Sequence, residues 1–313
     1  MTSTSPALGD TARPPALIAL DWGTTSLRAW LLAGPLQVLE ARQSDHGIMR
    51  LPAGGFREAF ETIGAEWLAS APRLPVVACG MVGSAQGWRE VPYVGTPADA
   101  TALAAGLTTC EMSGGRILRI VPGVMHDGPL PDVMRGEETQ IVGASLGAPA
   151  SAAGRRLFVL PGTHSKWAAT QAGRIVEFRT FMTGEMYAAL RGHTILGRLM
   201  CDAPQRDADA FERGVRTGRE QHGVGGLLAS VFSARSLGLA GRLPKASLAD
   251  YLSGLLIGAE LEGALRLFDS AGTGAVQEID IVGNEALSAR YVEAFAAAGI
   301  GRVRLHQQAS PAG

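Results

Sequence analysis

Two stretches of the chain, 139 residues apart, are written in the same way. Residues 17–34 read LIALDWGTTSLRAWLLAG and residues 156–173 read RLFVLPGTHSKWAATQAG. At that constant offset Gly23, Thr24, Ser26, Ala29, Ala33 and Gly34 recur as Gly162, Thr163, Ser165, Ala168, Ala172 and Gly173. Six identities fall in the twelve positions from 23 to 34. The spacing is too long for a solenoid and right for a whole domain, so the chain is expected to fold as two similar halves. Each copy reads as an apolar strand, a Gly-Thr turn, a second strand and an Ala-Gly hairpin.

Both copies continue alike. In the first, LQVLEARQ (36–43) completes a three-strand meander, and GFREAFETIGAEWLAS (55–70) sets Phe56, Phe60, Ile63 and Trp67 at helical spacing. PVVACG (75–80) is a short apolar strand of the kind buried in a parallel sheet, and residues 116–121 make another. Asp132 is placed to cap a helix running through DVMRGEETQIVGASL. In the second half strands are expected at 157–160, 166–170 and 174–182, with helices dominating from 183 to 268. EIDIVGN (278–284) reads as a strand ending in Gly-Asn before an amphipathic helix at 285–299. APASAAGR (148–155) reads as a linker. The expected layout is a loose tail over 1–15, a first α/β domain over 16–150 and a second over 151–313.

Composition narrows the class. With 46% hydrophobic residues in 313, the chain can bury a sizeable core. Twenty-eight basic against 29 acidic residues leave a net charge of −1, which gives no footprint for nucleic acid or an anionic membrane. The N-terminus lacks the apolar core of a secretory signal, and no run of ~18 uncharged apolar residues occurs. Cys79, Cys110 and Cys201 form no CxxC pair, so free thiols in a reducing compartment are expected. The expectation is a soluble cytoplasmic protein.

The turn DWGTTS (21–26) is the sharpest local feature. Asp21 ends an apolar strand, where a carboxylate can hold Mg²⁺ directly or through water. Gly23 permits a tight turn whose N–H groups, with the hydroxyls of Thr24, Thr25 and Ser26, can wrap phosphate oxygens. A lone DxGTT would as readily be an ordinary hairpin. The second copy, PGTHSK (161–166), favours the phosphate reading and gives His164 a role in it. In VGNEAL (282–287) a strand, Gly283, Asn284 and a helix start suit the approach of an anion or nucleoside.

Two further segments carry candidate groups. In MRGEETQ (134–140), Glu137 and Glu138 point about 100° apart on a helix, so one of them could face a substrate hydroxyl as general base. Arg135 could pair with an anionic substrate group; a solvated helix face is the bland alternative. In FRTFMTGEMY (178–187), Thr183 is expected to cap a helix with Glu185 in its first turn, where both could face substrate. GASLG (143–147) matches a nucleophile elbow but ends a helical pattern instead of following a strand. Neither a Walker A motif nor GxGxxG occurs, and the six histidines form no HxH or HxxxH pair.

Taken together, LDWGTTSLRAWL, CGMVGSAQGW, PDVMRGEETQIVGA, VLPGTHSKW, FRTFMTGEMY, YLSGLLIGAE and GNEALSARYVEAF resemble the 2-dehydro-3-deoxygalactonokinase family, in order from about 17 to 305. DWGTT alone would mark only the wider sugar kinase, Hsp70 and actin superfamily. The resemblance implies two ribonuclease H-like domains with an ATP cleft between them, and transfer of phosphate from ATP to 2-dehydro-3-deoxy-D-galactonate to give the 6-phosphate in galactonate catabolism. A related keto-deoxy sugar acid kinase and an exopolyphosphatase-like hydrolase are the alternatives on the same fold.

It further implies Asp21 on the metal side, with Mg²⁺, and Gly23, Thr24 and Thr25 in the first phosphate motif. Gly162, Thr163 and His164 fall in the second phosphate motif, and Gly283 and Asn284 in the adenosine motif. Relatives in the superfamily place a catalytic Asp near the second phosphate motif. Ser165 and Lys166 stand there instead, and RGEETQ is similar to the Gly-Glu-Glu element of exopolyphosphatase-like relatives, a resemblance that implies Glu137, with Glu138 as alternate, as the base. Arg135 and Lys166 are the cations near these motifs for the substrate carboxylate, with Thr183 and Glu185 beside it. The implied partner is a small sugar acid, and a homodimer is compatible. Family members continue past the RVRLH strand into a closing helix, where this sequence reads QQASPAG.

Overall fold

The computed structural model describes residues 13–34, 37–146, 154–202, 204–220, 225–269 and 278–307. They form two compact units. The first comprises the chain up to Pro92 together with Gly106–Pro122. Its strands are β1 (Leu17–Trp22), β2 (Leu27–Gly34), β3 (Gln37–Ser44), β4 (Val76–Gly80), β6 (Thr108–Glu111) and β7 (Ile117–Ile120), ordered β3-β2-β1-β4-β7-β6. The first three form the expected antiparallel meander, and β4 adds parallel to β1. Helix α1 (Phe56–Ser70) buries Phe60, Ile63 and Trp67 with Ile18 and Leu20 of the sheet, as the three-and-four spacing dictates.

The second unit comprises Tyr93–Ala105 and the chain from Gly123 onward. Strands β10 (Arg155–Leu160), β11 (Ser165–Gln171), β12 (Arg174–Phe181), β13 (Ile279–Gly283) and β14 (Val303–Gln307) make a sheet ordered β12-β11-β10-β13-β14. The order third-second-first-fourth is that of the first unit, so the 139-residue repeat is a repeat of topology. Helices α4 (Thr183–His193), α5 (Ala208–Arg219), α6 (Gly226–Val231), α7 (Ser233–Leu239) and α8 (Leu248–Asp269) fill the connection to β13, and α9 (Glu285–Ala297) joins β13 to β14. Helices α5 and α8 are in backbone contact. A Cβ on Gly218 would lie 2.1 Å from the Leu255 carbonyl oxygen, and one on Gly254 would lie 2.0 Å from that of Phe211. That closeness explains the glycines of YLSGLLIGAE.

A small sheet of β5 (Val94–Gly95), β8 (Val124–His126) and β9 (Asp132–Met134) also belongs to the second unit, with α2 (Ala100–Ala105) and α3 (Glu137–Leu146). It is tied to β12 by the paired backbone bonds of Ala98 and Ile175 at 3.0 and 2.7 Å. Compactness thus groups residues 123–146 with the second sheet, while the sequence suggested a division at 150. Most of the expected linker, 148–153 of 148–155, lies outside the described residues, as do residues 1–12 and 308–313.

One expected helix starts late. Residues 132–134 are strand, and α3 begins only at Glu137. Gly136 has φ +113, outside helical space, and Asp132 is no cap. Its carboxylate accepts the N–H and hydroxyl of Thr180 at 2.6 and 2.7 Å.

Candidate functional site

The first Gly-Thr turn closes β1 onto β2 with Gly23 N–H donating to the Ser26 carbonyl at 2.9 Å. Thr24 and Thr25 are exposed. Asp21 sits at the carboxyl end of β1, its side chain 28% exposed, 3.7 Å from Arg28 across the ladder. Gly80, with φ +90, clears its surroundings: a Cβ there would lie 3.3 Å from Asp21 Oδ1. Beneath the turn runs Gly47, where a Cβ would lie 2.2 Å from the Thr25 carbonyl carbon. The next two residues donate to the turn, Ile48 N–H to Gly23 and Met49 N–H to Thr24, at 3.0 and 3.1 Å.

The second turn is built to the same plan. Gly162, Thr163 and His164 join β10 to β11, with Thr163 and His164 exposed. Gly184, at the start of α4, runs beneath it, and a Cβ there would lie 2.4 Å from the Gly162 carbonyl oxygen. Glu185 N–H then donates to the Thr163 carbonyl at 3.0 Å, and its carboxylate meets His164 Nε2 at 2.5 Å. Gly47 and Gly184 each stand three residues beyond the end of the third strand, Ser44 or Phe181. This second correspondence falls outside the constant offset, because Gly47 lies 24 residues after Gly23 and Gly184 only 22 after Gly162.

The adjacent glutamates part company at the start of α3. Glu138 is 0% exposed. Both its oxygens accept the Gly136 N–H, at 2.9 and 2.7 Å, and one accepts the Thr139 hydroxyl at 3.1 Å. Burial, with the neighbouring Glu137 charge, pushes its carboxyl up to about 8 against these bonds. The Glu137 side chain is 27% exposed; Oε1 lies 3.3 Å from Lys166 Nζ and Oε2 accepts the Arg135 N–H at 3.1 Å. Of the two carboxylates, only that of Glu137 is open to solvent. Arg135 lays its guanidinium 4.3 Å over the Tyr93 ring.

Three sequence-derived roles take a different shape here. Lys166, expected to bind a substrate carboxylate, is 6% exposed on its side chain and engaged with Glu137 and the His164 carbonyl, the latter at 3.3 Å. Glu185 meets His164. Met182, not Thr183, holds the cap position of α4, and the Thr183 hydroxyl is directed to the Glu260 carboxyl of α8. Asn284 does cap α9, accepting the Leu287 N–H at 2.9 Å, directly after Gly283. The first four residues of the decoy GASLG end α3, with the Ser145 hydroxyl donating to the Ile141 carbonyl, and its last lies outside the described residues.

Sequence reading missed the polar network under the second turn. Glu260 accepts the Trp167 indole N–H and the Tyr291 hydroxyl, each at 2.7 Å, and Tyr291 also bonds the Ser165 hydroxyl at 2.8 Å. Burial raises the Glu260 carboxyl, while these donors and Thr183 hold it down. The network fastens β11, α8 and α9 together just behind His164. A second cluster joins Asp280 to Arg156 and to His306 at 2.6 Å. Burial works to raise the Asp280 carboxyl, yet those partners hold it below its ordinary range. The signal for both was a charged residue inside an apolar run, Asp280 in IDIV and Glu260 in LLIGAEL.

Among the described residues no group of three His, Cys, Asp or Glu side chains could hold a metal, and no helix is long and apolar enough to cross a membrane. Comparison with known proteins gives a consistent result. The profile of a family described as 2-keto-3-deoxy-galactonokinase matches residues 21–313. The 2-dehydro-3-deoxygalactonokinase of Escherichia coli (strain K12) is 39% identical over 285 residues, 90% of either chain. A Rhizobium meliloti (strain 1021) relative described under the same enzyme name is 39% identical over 288 residues, 90% of this chain and 89% of its own. A crystal structure from Sinorhizobium meliloti, described under that name too, superposes with a TM-score of 0.80 at 36% identity, covering 95% of both chains.

Proposed function

This chain belongs to the 2-keto-3-deoxy-galactonokinase family, and from that premise we propose how its own residues phosphorylate 2-dehydro-3-deoxygalactonate with ATP. The observation that carries the reading is the contact of Glu137 with Lys166, which puts a partly exposed carboxylate beside the second Gly-Thr turn. Glu137 takes the proton of the terminal sugar-acid hydroxyl as that oxygen attacks the γ-phosphorus. The bond to the β-phosphate oxygen breaks, and ADP and the 6-phosphate result. Glu138 is not the base: it is buried, carries its proton through neutral pH, and serves the Gly136 N–H.

Each Gly-Thr turn, Gly23-Thr24-Thr25 in the first unit and Gly162-Thr163-His164 in the second, offers backbone and hydroxyl donors of the kind that bind phosphate. Gly283 and Asn284 receive the adenosine. Arg135, held flat by Tyr93, pairs with the substrate carboxylate. Mg²⁺ binds through one or two carboxylates while keeping most of its waters, so Asp21 at an open strand end, with room left by Gly80, fits it. When bound, the ion neutralises charge on the transferring phosphoryl group. Because such transition states are loose, positioning contributes more of the rate than the base does. A cytoplasmic location is part of this reading, since ATP is the donor.

Coupled ADP release with Mg-ATP tests it, comparing 2-dehydro-3-deoxygalactonate, its gluconate epimer and no sugar. Strong stimulation by the first alone is the expected outcome. Equal release in all three would make the protein a hydrolase on the same fold.

A further inference from the structure

Lys166 is the second residue after the second Gly-Thr turn and pairs across the ladder with Thr180 of β12. Partners directly opposite in an antiparallel ladder project to the same face, while neighbours along a strand alternate. Lys166 and Thr180 therefore stand side by side, on the face turned away from Trp167 and its apolar cluster. The segment carrying the glutamates is fastened to this pair at two points. Asp132 of β9 accepts both donors of Thr180, and Glu137 at the head of α3 meets Lys166. The break at Gly136 lies between the two fastenings, so they fix where α3 begins and where the Glu137 carboxylate points.

The lysine has a second engagement. Its ammonium donates to the His164 carbonyl at 3.3 Å, inside the turn itself, and sits 3.3 Å from Glu137 Oε1. One ammonium thus bridges the turn and the carboxylate. With its side chain 6% exposed, Lys166 has little surface to offer an incoming anion. Among the described residues, removing the cation would leave Glu137 with a single donor on one oxygen, the Arg135 N–H, and free to rotate about its side-chain bonds.

We propose that Lys166 is a positioning residue for phosphoryl transfer: it holds the Glu137 carboxylate in register with the second Gly-Thr turn, and it does not bind the substrate carboxylate. This rests on the reading of Glu137 as the base.

The test is a double-mutant cycle of Lys166→Met and Glu137→Gln, with kcat and the KM for sugar acid followed by radiolabelled phosphoryl transfer. The Lys166→Met variant is expected to lose kcat by about 30–100-fold with KM changed less than about 3-fold. In the Glu137→Gln background the same substitution is expected to cost less than about 3-fold, because its only target is gone. If Lys166→Met does not fold, the doubly neutral protein keeps the site uncharged, and Lys166→Gln replaces the single variant. A rise of about tenfold or more in KM with kcat spared would overturn the proposal and make Lys166 a carboxylate ligand. An undiminished loss in the Glu137→Gln background would overturn it too. Full turnover by Glu137→Gln alone would sink the base itself, and shows in a variant where Lys166 is intact.

Discussion

The two Gly-Thr turns share a plan and differ in what surrounds them. Each joins the first strand of a meander to the second, and each rests on a glycine three residues beyond the third strand, Gly47 or Gly184. Each has backbone carbonyls engaged by the residues that follow. The first turn is entered by Asp21, where the second copy has Leu160, and Asp21 faces Arg28 from its own hairpin at 3.7 Å. The second instead carries His164 and Lys166, each matched to a carboxylate brought from another element, Glu185 of α4 and Glu137 of α3. The duplicated part is backbone support, which any phosphate cradle needs. The diverged part is charge, and in the proposed reading it separates the turn given to the metal from the turn given to the base.

That comparison is broken most sharply at Asp21. Asp21→Asn keeps the shape of the strand end and removes the charge, so kcat is expected to fall by about 10³-fold or more with sugar-acid KM nearly unchanged. Steady-state kinetics over a Mg²⁺ series checks this, and unaltered turnover with unaltered Mg²⁺ dependence would reject the metal role.

The shared support comes next. Gly47→Ala and Gly184→Ala each place a methyl against backbone that has no room to yield. Both are expected to raise the KM for ATP by about tenfold or more and to lower Tm by several degrees, ~1–3 kcal/mol of overpacking. Kinetics and thermal melts of the pair measure how alike the turns are. A Gly184→Ala enzyme with normal ATP affinity would show that the second turn is not used as the first is.

The smallest expected effect is on stability. Between the ordinary carboxylate range and about 8, folded Glu138 holds a proton that the unfolded chain has released. Stability therefore falls as pH rises through that window. Glu138→Gln keeps a carbonyl for the Gly136 N–H and removes the titration, so its melting temperature should overtake that of the parent by about 3–6 °C between pH 5 and pH 8.5. Its kcat should stay within about threefold of the parent, since Glu137 is the base in this reading. Parallel curves of Tm against pH would mean that Glu138 is ionised in the folded chain.

Much of this was legible in advance, and the limits follow sequence distance. The meanders, the buried strands at 76–80 and 279–283 and the spacing of Phe60, Ile63 and Trp67 are local patterns, each visible in a window of a few residues. The start of α3 was misjudged because the partner that takes Asp132 away from helix capping, Thr180, is 48 residues downstream. The Glu260 carboxyl meets Trp167 93 residues away. Thr183 looked like a cap for the same reason, its hydroxyl being drawn instead toward Glu260.

The sequence by itself determined the duplicated topology, the position of both Gly-Thr turns and the family, because alternation, turn chemistry and repeat spacing are written along the chain. It also narrowed the base to two neighbouring glutamates. Only in the tertiary structure do the two differ, in burial and in partners. Burial depth and partner charge are properties of the packed elements around a side chain, and two residues adjacent in sequence can differ in both. One glutamate was sealed against Gly136, where burial pushes its carboxyl up to about 8, while the other was left open and set beside a lysine from a strand 29 residues further on.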